Sequence, residues 1–150
     1  MYANFMTNDL LYKTSLHFVQ FYRSRIELGY DTLHSRIFEV LLHPEAEFIC
    51  AGQSKEVANG LPKHKEHVVP CAVLRDETYR LIKQGRSNHE IAKLLSKHWK
   101  VIFITKVQAY ILDSKQHLNL KHRMPEGWDF DSDDTFARIK LAKIELVPTA

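Results

Sequence analysis

The chain has 150 residues, 45% hydrophobic and 26% charged, with a formal net charge of +3 when histidines are neutral. That length suits one domain, residues 1–150, able to bury a core without staples, and the composition excludes wholesale disorder. The mild basic excess permits contact with a polyanion without demanding it.

In chain order, the opening "MYANFMTNDLLYKTSLHF" lacks both a basic segment leading into an apolar run and a small-residue cleavage site, so no export signal is expected. No apolar stretch approaches membrane-spanning length, which predicts a soluble, cytoplasmic protein with no membrane partner. From Asp9 to Leu28, apolar residues recur at Leu10, Leu11, Leu16, Val19, Phe21 and Tyr22, the helical period, and a second such stretch runs from Thr32 to Leu42. Gly29-Tyr30-Asp31 separates the two, giving an N-terminal helical pair that stops at His43-Pro44, because a residue before proline is pushed out of the α region. Residues 46–52, "AEFICAG", are short, β-branched and aromatic and predict a strand closed by Gly52. A polar loop with Asn59-Gly60 and Pro62 follows, and "EHVVPC" then reads as the return strand of a hairpin, bent at Pro70.

Residues 72–85 have helical spacing at Val73, Leu74, Leu81 and Ile82 and end on Gly85, a C-terminal cap. Ser87 and Glu90 have capping-box spacing at the head of a helix "NHEIAKLLSKH". "KVIFI", residues 100–104, predicts a strand, and Thr105 caps the helix "KVQAYILDSK". After Leu120 the turn-rich "MPEGWDFDSDD" leads to a last amphipathic helix from Asp134 to about Ile144, and this C-terminal part, residues 120–150, is expected to pack on the rest. The fold class is α+β: a helical pair, a small sheet containing a β-hairpin, and helices packed on one side of it.

The stretch "KHKEHVVPC", residues 63–71, concentrates two histidines, a glutamate, a proline and one of the two cysteines. Glu66-His67-Val68-Val69-Pro70 resembles the first motif of the HNH, or ββα-metal, nucleases, which commonly reads Asp-His-Ile-Val-Pro. The resemblance spans residues 46–100 and implies a metal-dependent endonuclease. His67 would be the general base that activates water, and Glu66 would help hold a divalent metal (Mg, Mn or Zn) against the scissile phosphate. "NHEIAKLLSKHWK" overlays the family's later elements, so that Asn88 would orient the base and His98 would bind the metal. A helix over 72–85 stands where the family has an irregular glycine-rich loop, and its bracing cysteine pairs are absent.

Other readings of the same residues stay open. Gly85-x-Ser87 followed by Glu90-Ile91-Ala92 resembles the first helix of helix-turn-helix regulators, although "VIFIT" follows where a recognition helix should stand. Arg86, Lys93, Lys97, Lys100 and Lys106 could contact phosphates there, and Trp128 beside Arg123 could stack a base. Cys50 and Cys71 fit a reduced protein better than a disulfide scaffold. Cys71, four positions after His67, could form a cysteine–histidine pair, and Cys50, His64, His67 and Cys71 could hold a structural zinc; packing of both cysteines in the core is the plainer use. Against the nuclease stands a non-catalytic binding or inhibitory module recognising nucleic acid, a nucleotide or a protein partner.

Overall fold

The structure is a computed structural model that describes residues 2–149, with side chains from Asp9 onward. Helix α1, Tyr2–Glu27, contains no glycine or proline and buries Leu11, Phe18, Val19 and Tyr22, one stripe at helical spacing. It ends where Gly29 takes φ 85° and the Tyr30 N–H donates back to the Arg25 carbonyl at 2.8 Å. The predicted second helix shrinks to α2, Ile37–Val40, because Phe38 alone is buried in it while Val40 is 65% exposed. The strand expected over 46–52 is split. Residues Glu45–Ile49 form a helical turn, α3, that puts both Glu45 and Ile49 inside, and strand β1, Cys50–Ser54, starts only at the cysteine.

A short helix α4, Lys55–Ala58, capped by Ser54, precedes strand β2, His64–His67. Helices α5, Cys71–Lys83, and α6, Asn88–His98, follow, joined through Gly85 at φ 79°, and the Ser87 hydroxyl accepts the Glu90 N–H as its spacing predicts. Ile91, Ala92 and Leu95 of α6 are fully buried and α6 lies against α1, so the small alanine serves close helix packing rather than a helix-turn-helix. Strand β3, Val101–Ile104, and helix α7, Lys106–Asp113, come next; Thr105 caps α7 in a full capping box with Gln108. The last helix is shorter than predicted: α8, Ala137–Leu141, followed by strand β4, Leu146–Val147.

The fold is α+β, but the expected hairpin is absent. The sheet order is β2-β3-β1-β4, with β3 parallel to β1 and antiparallel to β2, so β3 stands between the two strands predicted to pair. β3 wins the central position because Val101, Ile102 and Ile104 all need burial and only a strand covered on both faces provides it. Val101 joins the larger core with α1, α5 and α6, while Ile102 and Ile104 join a second core with Ala109, Leu112 and Ile139. The one-sided packing expected of the helices thus describes the larger core only; α7 and α8 cover the other face. Among the described residues, no helix is long and apolar enough to cross a membrane.

Gly52 fixes how β4 docks. Its φ is 135°, and a β-carbon there would lie 2.9 Å from the Val147 carbonyl oxygen. Gly52→Ala is expected to detach β4 and cost about 1–3 kcal/mol. Amide exchange checks this: Val147 should lose protection while Ile102 keeps it.

Candidate functional site

β2 is an edge strand, and successive side chains on a strand point to opposite faces. Lys65 and His67 therefore turn one way and His64 and Glu66 the other. On the first face, Lys65 and His67 both meet Glu45, whose side chain is only 2% exposed. Burial alone would raise the Glu45 pKa, but hydrogen bonds from His67 and Lys65, together with their charge, hold it below its ordinary value. An ionised carboxylate can only accept, so the His67 Nε2, 3.2 Å from Glu45 Oε2, carries the proton and a neutral ring keeps its lone pair on Nδ1.

On the second face, Glu66 Oε2 lies 3.5 Å from His64 Nε2, and Glu66 Oε1 accepts from Arg138 Nη2 at 2.8 Å. The Arg138 side chain is fully buried and also donates to the carbonyls of His67, Leu120 and Val68 at 2.6, 3.1 and 3.4 Å. Between the faces, along the open edge of β2, runs a cleft of about 300 Å³ lined by His64, Glu66 and His67, by Cys71 at the start of α5, and by Lys121 and His122 from the segment after α7.

The metal constellation implied by the HNH resemblance does not assemble. Glu66 is committed to Arg138. His98 is buried, its Nε2 donating to the Phe130 carbonyl at 2.8 Å and its Nδ1 accepting from the Thr135 hydroxyl at 2.9 Å, and burial lowers its pKa so that it stays neutral. Asn88 stands at the start of α6, where its Oδ1 accepts from Arg23 Nε at 2.7 Å, so it orients α1 against α6 rather than the ring of His67. Among the described residues, no group of three or more His, Cys, Asp or Glu is placed to hold a metal ion. That includes the set Cys50, His64, His67 and Cys71.

Cys71 is no nucleophile either. Burial pushes its thiol up to about 12, and the nearby Glu39, Glu45 and Glu66 carboxylates push the same way, so the thiolate is absent at neutral pH. Both cysteines are free and half-buried, and they pack against the larger core.

Comparisons with protein-family models, curated proteins and solved structures return no match.

Most of the residues predicted to touch nucleic acid are engaged within the protein itself. Arg86 is paired with Glu90 at 2.9 Å and Asp131 at 3.5 Å, and Lys97 donates to the Asp133 carbonyl at 3.2 Å. Lys93 is exposed, Lys100 is half-buried with its pKa lowered by that burial, and Arg123 donates to the Asn119 carbonyl at 2.8 Å. Trp128 donates to the Asp134 carbonyl at 2.9 Å and packs edge-on against His98 at 5.1 Å, pinning the tail to the core rather than offering a face to a base. Glu45 and Arg138, buried behind the cleft, and Lys121 and His122 in its lining escape sequence reasoning. Only Arg138 leaves a trace, as one of two cations in the otherwise apolar "FARIKLA".

Proposed function

We propose that the cleft along β2 cleaves phosphodiester bonds of nucleic acid, with His67 as general base and Glu45 holding it. The observation that carries this reading is the Glu45–His67 pair: a buried ionised carboxylate fixes the tautomer of an imidazole that lines a cleft. Glu45 plays the orienting part that the HNH resemblance gave to Asn88. In the same lining, Lys121 supplies positive charge and His122 a ring N–H for a phosphate. Because Glu66 and His98 are committed elsewhere, no step is routed through a metal.

The test is cleavage of RNA and plasmid DNA by the wild type, His67→Ala and Glu45→Gln, with and without Mg²⁺, Mn²⁺ or Zn²⁺. His67→Ala is expected to lower the rate about 10²–10⁴-fold; His67→Gln, which keeps an N–H for the buried Glu45, repeats the test, and a folded variant of either kind that cuts as fast as wild type would sink the assignment. A second reading, a non-catalytic binding module, is favoured by one observation: the His67 side chain is only 11% exposed. Its signature is a gel shift that is strong at low salt, with intact substrate recovered from the complex.

A further inference from the structure

We infer that the substrate class is RNA, cut by its own 2′-hydroxyl, with His64 as the general acid opposite His67; this rests on the reading of His67 as base. The four residues of β2 carry two imidazole–carboxylate pairs, His67 with Glu45 and His64 with Glu66, and both histidines line the same cleft. Each carboxylate engages one ring nitrogen and leaves the other for a substrate. Three residues of strand separate the α-carbons by roughly 10 Å, so side chains reaching round the edge from opposite faces can flank one phosphate.

The cleft holds two imidazoles on one strand, His64 and His67, with a third, His122, from the segment after α7, and its lining hydroxyl, Ser35, makes no hydrogen bond to any of them among the described residues. The Cys71 thiol is held protonated, and among the described residues no hydroxyl of the chain hydrogen-bonds to His67. The phosphodiester reaction that needs only such a pair is internal transesterification. RNA brings a hydroxyl already adjacent to its phosphorus, at the high effective concentration of an intramolecular reactant. DNA lacks that group and would need an activated water against a phosphate with no metal clamp.

The step balances without a co-reactant. His67 Nδ1 takes the proton of the 2′-hydroxyl, O2′ bonds to phosphorus, and the phosphorus–O5′ bond breaks. The imidazolium of His64 passes its proton to the departing O5′. The products are a 2′,3′-cyclic phosphate and a 5′-hydroxyl, and the two histidines have exchanged roles. Lys121, exposed and without a carboxylate in ion-pair reach among the described residues, can meet the non-bridging oxygens as their charge builds.

The experiment uses a short RNA, the same RNA with a single 2′-deoxy residue at the cleaved step, an all-DNA strand, and an RNA whose 5′ leaving oxygen is sulfur, with products read by mass spectrometry. Cleavage of the all-RNA strand to a 2′,3′-cyclic phosphate, blocked by the single 2′-deoxy residue, supports the inference. His64→Ala should slow the oxygen substrate about 10²-fold or more and the sulfur substrate hardly at all, since a thiolate leaves without a proton. The His64 side chain is 43% exposed, so its replacement leaves the core untouched, and His64→Gln repeats the test with the bulk retained. His67-dependent cutting of RNA and DNA alike, or of the 2′-deoxy substrate, overturns the RNA assignment and leaves the proposed function standing. No cutting of either nucleic acid overturns both.

Discussion

Arg138→Ala is expected to cost about 3–5 kcal/mol, the range for leaving a buried ion pair half-broken. The guanidinium is fully buried between the two layers that meet at the end of β2. It neutralises Glu66 and donates to three backbone carbonyls, from His67, Val68 and Leu120, that belong to the strand end and to the chain after α7. Its Nη1 also faces Asp113 Oδ1 at 3.9 Å, an oxygen that is buried and has no hydrogen-bond partner. Truncation removes all of these donors together and leaves a carboxylate and several carbonyls facing a cavity. For a domain of this size the loss corresponds to a melting temperature lower by roughly 10–15 °C. Denaturant unfolding at neutral pH gives the value, and a cost below about 1 kcal/mol would show that the pair is solvated. Arg138→Lys isolates geometry from charge. A single ammonium cannot reach Glu66 and three carbonyls at once, so about half of the loss is expected to remain. The double variant Arg138→Met, Glu66→Leu should recover much of the loss, because neither partner is then left unpaired in the interior.

The same residue shows where the sequence stops being readable. Caps are local, and Ser87 with Glu90, Thr105 with Gln108 and Gly85 all behave as their spacing predicts. Helical stripes are local too: α1, α5 and α6 each bury an apolar stripe, although Leu10 and Phe21 of α1 stay exposed. Strand pairing is not local. β1 and β2 are separated by a loop that looks like a hairpin tip, yet each pairs with β3, which lies some way further along the chain. A pattern of apolar residues says that a strand is buried, not who lies beside it. The candidate site fails for the same reason. His67 was legible as a chemical residue, but its partner Glu45 lies 22 positions upstream and the partner of Glu66, Arg138, lies 72 downstream. His98 misled because a histidine ending an amphipathic helix reads alike whether it faces a ligand or a core carbonyl. Only the Phe130 and Thr135 contacts distinguish the two.

His98 should also write itself into the pH dependence of stability. Its pKa is lowered from the ordinary 6.5 because burial disfavours the charged ring. The unfolded chain therefore binds a proton there at a pH where the folded chain does not. The stability contribution is complete above about 6.5 and is lost as pH falls from there through the folded value, at up to about 1.4 kcal/mol per pH unit for one proton. Glu45 acts in the same direction further down. Its folded pKa lies below the ordinary 4.5, so its contribution is present above that value and disappears as the carboxyl protonates in the folded protein. Two acid limbs are expected in the unfolding free energy, one starting near pH 6.5 and one below about pH 4.5, with a plateau from neutral pH to about pH 8. His98→Gln keeps an N–H for the Phe130 carbonyl and removes the titrating ring, so it should flatten the upper limb and leave the lower one in place. Glu45→Gln should do the reverse, while weakening the plateau because Lys65 and His67 lose their counter-charge. Urea unfolding at half-unit steps between pH 3.5 and 8 distinguishes the two, and an upper limb that survives in His98→Gln would assign it to another group. Protonating His98 would also force its Nδ1 to become a donor facing the Thr135 hydroxyl and the rings of Trp128 and Phe130. The acid transition should therefore begin in the C-terminal segment, where Trp128 fluorescence reads it before the rest of the domain unfolds.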